Sequence, residues 1–136
     1  MKVFCFSSKD NNSVWAAIGA ESWAYTKTQK SHGGIKPGDY IILYSRQSGC
    51  VECVGIVLTE PDYGVENKDS YWPGSFWDPF TFTVVAKNSI SLDALKEILG
   101  TDANLNEYLS LFYVDAPATL SSVEVAKIIN AMQCRI

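Results

Sequence analysis

Aromatic rings able to stack on a flat ligand are concentrated in residues 71–82, which read YWPGSFWDPFTF. The two prolines and the glycine argue against a regular strand or helix up to Pro79, after which Phe80 and Phe82 alternate as in a strand. Indole faces stack on nucleic-acid bases and on methylated nitrogens. The stretch therefore predicts either one wall of a binding site or a rigid loop packed on the core.

The other two tryptophans lie in the N-terminal quarter of the chain. Trp23 follows a segment that ends a helix, and it begins a polar segment. Its side chain is therefore expected either in the core or in a binding site. Trp15 shares the apolar face of a predicted helix with Val14 and Ile18 and is expected to be core. Trp23, Trp72 and Trp77 together suggest an aromatic cage, and the alternative is a protein-interaction domain in which all three are core.

Catalytic and metal-binding patterns are weak. His32 stands in a polar loop, and the sequence contains no phosphate-binding glycine motif, nucleophile elbow or zinc-protease motif. Cys50 and Cys53 have the spacing of a metal knuckle, but on a predicted strand residues three apart point to opposite faces. We therefore expect a non-enzymatic protein with reduced cysteines and with no catalytic residue, metal or cofactor.

Composition and charge limit the partners. The 136 residues are 47% hydrophobic and 19% charged, as in one folded domain, and the net charge of −4 argues against nonspecific binding through phosphates alone. Six basic and three acidic residues precede Val51, whereas five basic and twelve acidic residues follow Cys50. Nucleic-acid contacts are therefore expected from the first third. With no secretory signal and no apolar run of about 20 residues, we expect a cytoplasmic protein without membrane contact.

The predicted elements follow the order strand, helix, several strands, then helices. Gly55, inside the strand predicted for residues 50–59, indicates a bulge or a close approach of two backbones. Without regular strand–helix alternation, the sequence predicts an α+β fold with a small curved or barrel-like mixed sheet and flanking helices. Strands are predicted at residues 2–7, 22–25, 40–45, 50–59 and 80–86, and helices near 14–18, 92–99, 105–112 and 123–132.

Four segments resemble the PUA-like superfamily, specifically its EVE and YTH branches: GAESWAYT, KPGDYIILYS, CVGIVLTE and WPGSFWDPFTF. The resemblance covers about residues 1–87 and implies that residues 1–136 form a single EVE/YTH-like domain of PUA-like fold. It also implies a ligand, a modified base inserted into an aromatic cage. A similar domain forms the N-terminal specificity region of McrB-type modification-dependent restriction enzymes, which read a methylated base flipped out of DNA.

The resemblance assigns roles to individual residues. It implies a cage in which Trp23 is the first wall, Trp72 the second, and Phe76 or Trp77 the third. The choice between Trp72 and Trp77 as the stacking residue stays open; we favour Trp72 for stacking, with Trp77 as an anchor or the third wall. The resemblance also implies base-edge contacts from Ser8, Lys9, Asn11 and Ser22. The basic residues of the first third, Lys27, Lys30, Lys36 and Arg46, are candidate phosphate contacts.

These roles lead to a first expectation and two alternatives. The first is a module that recognises a methylated base in DNA and targets a restriction system, with a GTPase and a nuclease as partner domains. DNA is preferred because the acidic C-terminal half departs from the basic C-terminal segment of eukaryotic YTH domains. The alternatives are a domain that binds methylated RNA or tRNA and a small hydrolase of the related ASCH type. N6-methyladenine, 5-methylcytosine and its hydroxymethyl form all remain open.

Overall fold

The computed structural model describes residues 2–8, 10–26, 35–60, 65–66, 76–100 and 121–133. Its strands are β1 (Val3–Ser8), β2 (Ser22–Thr26), β3 (Tyr40–Ser45), β4 (Cys50–Val57), β5 (Val65–Glu66) and β6 (Phe76–Ser91). Its helices are α1 (Asn11–Ala20), α2 (Leu92–Leu99) and α3 (Ser122–Gln133). The helix predicted for residues 105–112 lies outside the described residues. Among the described residues, no helix combines the length and the apolar character that crossing a bilayer requires.

The strands form one mixed sheet in the order β1-β3-β4-β6-β2, with β5 paired to β6. Strand β1 runs parallel to β3, and the other pairs are antiparallel. The 16-residue β6 links β2 to the rest of the sheet, because its first part pairs with β2 and its second part pairs with β4. Register shifts in the β3–β4 and β4–β6 pairs increase the local twist and curl the sheet. The α+β prediction with a curved mixed sheet is confirmed.

Both faces of the sheet are buried. One apolar core cluster lies between the sheet and helices α2 and α3, and Val3 and Cys5 of β1 belong to it. A second lies between the sheet and α1, and Phe4 and Phe6 of β1 belong to it. This arrangement explains why the first strand alternates between two apolar sets instead of between apolar and polar residues.

Helix ends follow from local chemistry. Asp10 caps α1 by accepting a hydrogen bond from the Ser13 amide at 2.7 Å. The sequence predicts that Gly19 ends this helix, but the helix continues to Ala20 and Glu21 takes the left-handed conformation that closes it. Ser91 caps the start of α2, and Gly100 ends it in the left-handed conformation. Ser121 and Glu124 cap α3 reciprocally, their side chains each accepting from the other's amide.

A tight turn at Pro37-Gly38 precedes β3, with Gly38 at a φ of +94°. Its last residue, Asp39, is buried and uses both carboxylate oxygens. Oδ1 accepts from the Lys2 amide at 3.0 Å, and Oδ2 accepts from the Lys36 amide at 2.9 Å. Asp39 therefore fixes the start of β1 against the start of β3.

Two further sequence-based expectations are wrong. Trp15 is 53% exposed, because the buried side of α1 carries Ser13, Val14, Ala17 and Ile18 and the indole points away from it. Strand β6 begins at Phe76 and runs through Pro79. Pro79 lies opposite Ala24 of β2, and within the described residues no strand pairs on the other side of it. A proline is tolerated where the ladder is incomplete.

We expect the native fold to protect Cys53 from alkylation. Burial raises the pKa of the Cys53 thiol to about 12, the negative charge of Glu21 adds to the rise, and Lys87 opposes it. Since only the thiolate reacts, Cys53 should be alkylated by iodoacetamide at pH 8 orders of magnitude more slowly than in urea. Its labelling should quicken as the pH rises from 8 toward 12.

Peptide mass spectrometry over a time course measures this protection. The partly exposed Cys50 serves as the comparison within the same chain. Native-state labelling of Cys53 as fast as that of Cys50 would contradict the expectation.

Candidate nucleic-acid interface

Trp23 lies on β2 opposite Phe80 of β6 and is 7% exposed. Its ring stacks on Phe6 of β1, with centroids 5.9 Å apart and an interplanar angle of 24°. Phe6 also contacts the Phe80 ring at 5.9 Å, tilted by 50°. Phe6 thus covers one face of the indole, and a base cannot stack on that face.

Phe6 connects Trp23 to the end of β1. Residues two apart in a strand share a face, so Ser8 lies on the same side of β1 as Phe6, roughly 6.6 Å further along. Ser8 is almost fully buried, and its carbonyl accepts from the Arg46 amide at 2.9 Å. The structure therefore brings Ser8 and Trp23, predicted as site residues from distant segments, to one side of the sheet.

Asn11 occupies the same corner, at the first residue of α1. Its side-chain Oδ1 accepts a short hydrogen bond from the Ser45 hydroxyl, and its backbone N–H donates to Gln47 Oε1 at 2.9 Å. These bonds fix the N-terminus of α1 against the turn between β3 and β4. A side-chain amide held through its oxygen can present its NH₂ group to a ligand, as a base-edge contact requires.

Ser22 stands beside Trp23 and has a structural partner. Its hydroxyl donates to the Phe80 carbonyl at 3.3 Å, which links β2 to β6 at the position of the tryptophan. A hydroxyl can accept a hydrogen bond while it donates one, so Ser22 keeps acceptor capacity.

The predicted phosphate contacts separate into two groups. Arg46 is exposed in the β3–β4 turn, at the corner formed by Ser8 and Asn11. Lys36 is exposed at the opposite end of β3, roughly 20 Å away along the strand. The structure therefore places Arg46, and not Lys36, beside the Ser8–Asn11 corner.

Several predicted site residues lie outside the described residues: Lys9, Lys27, Lys30 and Trp72. Phe76 and Trp77 are described by their backbones alone, at the start of β6. Trp77 pairs with Thr26 of β2 and with Val65 of β5, and Phe76 pairs with Glu66. The backbone that carries these two rings is therefore joined directly to the strand that carries Trp23.

Two residues that support the site, Phe6 and Ser45, carry no sequence motif that marks them. Phe6 supports the indole of Trp23, and Ser45 holds Asn11. The alternation in β1 indicates that Phe6 is buried, but its ring partner lies 17 positions away in sequence, where no local pattern can identify it.

The sequence matches no protein-family model and no curated protein. Comparison of the structure with solved structures finds YTH domains. The YTH domain of the Zygosaccharomyces rouxii MRB1 protein, in complex with N6-methyladenosine RNA, has a TM-score of 0.65 and 13% identity, covering 99% of this chain and 88% of that one. The Pho92 YTH domain in complex with m6A has a TM-score of 0.62 and 18% identity, with coverages of 98% and 87%.

A third similar structure is the Toxoplasma CPSF4 YTH domain in complex with a 7-mer m6A-modified RNA. Its TM-score is 0.60 at 16% identity, and the match covers 99% of this chain and 92% of that chain. All three matches span nearly the whole of this chain, including the acidic C-terminal part beyond the segments whose motifs resemble the family. The chain has the fold of YTH domains, one of the two groups, EVE and YTH, that its motif segments resemble.

Proposed function

We propose that this chain is a non-enzymatic reader of a methylated base in RNA, with N6-methyladenine as the first candidate. The observation that carries the proposal is the position of Trp23, held on β2 with one face against Phe6 in a YTH fold. Structures of that fold from three sources were solved with m6A or m6A-containing RNA. RNA takes precedence over DNA because the named ligands of these neighbours are RNA or its modified nucleoside.

In the proposed complex the base stacks on the face of Trp23 that is turned away from Phe6. Ser8, Asn11 and Ser22 supply polar contacts at its edge, and Arg46 contacts a phosphate. Phe76, Trp77 and Trp72 are proposed as further cage walls, since the β6 backbone leading to them pairs with β2. Stacking contributes roughly 1–3 kcal/mol per base, which suits recognition of an unpaired base that pays little for leaving its stack.

Discrimination of the methyl group needs a closed cage. Burying one methyl group contributes about 0.8 kcal/mol, or about fourfold in affinity, so transfer alone gives little preference. A tight pocket that a methyl group fills reaches about 10- to 200-fold. We therefore expect at least about a tenfold preference for the methylated base.

A binding panel tests the proposal. Fluorescence anisotropy at one fixed salt concentration would compare a short single-stranded RNA with one N6-methyladenine, its unmodified twin, and DNA duplexes with N6-methyladenine or 5-methylcytosine. The methylated RNA should bind most tightly. Equal affinity for the unmodified RNA would refute base reading, whereas preference for a methylated duplex would favour the alternative, a DNA-targeting domain of a restriction system.

A further inference from the structure

A concavity of about 810 Å³ lies between α1 and strands β4 and β6. Trp15 and Ile18 of α1, Glu52 of β4, and Val84 and Lys87 of β6 line it, together with Glu21 at the end of α1. Its described lining does not include Trp23, Phe6 or Phe80. It is therefore separate from the proposed base site, and its volume lies within the range of ligand pockets.

The exposed indole of Trp15 belongs to this pocket. Trp15 is half exposed, whereas its helix neighbours Val14 and Ile18 are buried, so its ring is not needed to fill the core. An indole at the rim of a pocket offers a π-face to a planar or cationic group.

The pocket also contains a buried carboxylate whose described partners are neutral. Glu52 is 5% exposed; its Oε1 accepts from the Ser48 hydroxyl at 3.0 Å and its Oε2 from the Ser89 hydroxyl at 2.6 Å. Each carboxylate oxygen can accept two hydrogen bonds, so each retains one acceptor position. Burying a carboxylate is costly unless a cation compensates its charge, and a ligand can supply that cation.

The remaining charges give the pocket a negative balance. Glu21 Oε2 accepts from the Val84 amide at 2.8 Å, which fixes a second carboxylate at the pocket. Lys87 is the one cation among the described lining residues, and its residue is exposed. Two carboxylates against one ammonium repel the phosphates of a nucleic acid and attract a cation.

We propose that this pocket binds an arginine side chain presented by a partner polypeptide. A guanidinium is planar, stacks on an indole, and donates through a fork of N–H groups that matches carboxylate oxygens. Trp15 supplies the face on which the guanidinium stacks, and Glu52 and Glu21 accept hydrogen bonds from its N–H groups. Ile18 and Val84 line the path of the aliphatic part of the arginine side chain. The volume exceeds the need of one side chain and leaves room for flanking peptide.

Calorimetric titration with a blocked tripeptide, acetyl-Gly-Arg-Gly-amide, tests the proposal. The matched control peptide carries citrulline, which keeps the shape of arginine without its charge. It should bind at least about tenfold more weakly than the arginine peptide. Free arginine should also bind more weakly than the tripeptide. Absence of arginine-peptide binding at millimolar concentration, equal binding of the citrulline peptide, or equal binding of free arginine would overturn the proposal.

Variants locate the site. Glu52→Gln should weaken binding of the arginine peptide about tenfold. The control Glu97→Gln changes an exposed residue of α2 outside the pocket lining and should not change binding of the peptide. Trp15→Ala covers the case in which Glu52→Gln does not fold, because the exposed indole can be removed with the core unchanged. It should lower peptide affinity and leave binding of methylated RNA unaltered. If Trp15→Ala weakened RNA binding instead of peptide binding, the pocket would belong to the nucleic-acid surface and the proposal would fail.

Discussion

Replacing Gly55 with alanine should cost about 3 kcal/mol or more of unfolding free energy, the largest loss expected from alanine at any glycine that the structure describes. A Cβ at this position would lie 2.7 Å from Phe82 Cδ2, 2.9 Å from the Thr83 carbonyl oxygen and 3.3 Å from Ile41 Cγ1. The Thr83 oxygen is backbone of β6, and Phe82 and Ile41 are almost fully buried. Relieving these close contacts therefore requires β6 to move away from β4, at the register shift where the two strands already pair irregularly.

Gly19→Ala is the matched control for this change. No atom lies within 4 Å of a Cβ built at Gly19, which is inside α1. The same added methyl group should therefore stabilise the protein by about 0.5–1 kcal/mol through helix propensity. Urea unfolding followed by circular dichroism measures both variants. A Gly55→Ala midpoint equal to that of the parent protein would show that the sheet absorbs the methyl group and would contradict the expectation.

Gly55 also shows what the sequence can predict. A glycine inside an apolar strand forgoes side-chain packing, so it indicates a bulge or a close approach, and the structure has both. The ends of α2 and α3 could be predicted for a similar reason, because Ser91, Gly100 and Ser121 act on backbone groups within a few residues. Features set by contacts close in sequence are accessible to such reasoning.

Features set by distant packing are less accessible. Trp15 has the residue type of a core position, and α1 is apolar on more than one side, so the pattern cannot indicate which side meets the sheet. The pairing of Trp23 with Phe6 depends on the path of β2 along β6, which is determined by tertiary structure. The choice of nucleic acid is harder still, since the net charge of −4 argues only against nonspecific phosphate binding.

Trp23→Ala should abolish binding of methylated RNA and, at the same time, strongly destabilise the fold. The buried indole stacks on Phe6 within the cluster that includes Phe80 and Val14. Truncating a buried tryptophan removes its packing and leaves a cavity, which typically costs about 3–5 kcal/mol. Loss of binding by this variant alone therefore cannot distinguish a cage wall from a core residue.

Trp23→Phe separates the two roles. A phenyl ring keeps a stack against Phe6, so we expect a stability loss on the order of 1–2 kcal/mol and a protein still folded at 25 °C. The smaller ring covers less of a stacked base, and affinity for N6-methyladenine RNA should fall about tenfold, within the range found for single stacking contacts. Anisotropy titration with the methylated and unmodified RNAs gives the loss of affinity and of methyl preference, and urea unfolding gives the stability.

Trp15→Phe is the matched control, because it makes the same substitution at an exposed position on α1. It should change neither the urea midpoint nor the affinity for RNA. The two variants together distinguish the functions of two tryptophans only eight residues apart. If Trp23→Phe bound the methylated RNA as tightly as the parent protein while losing stability, Trp23 would be a core residue that supports the sheet. The base would then have to be read elsewhere, and the proposed cage would be wrong.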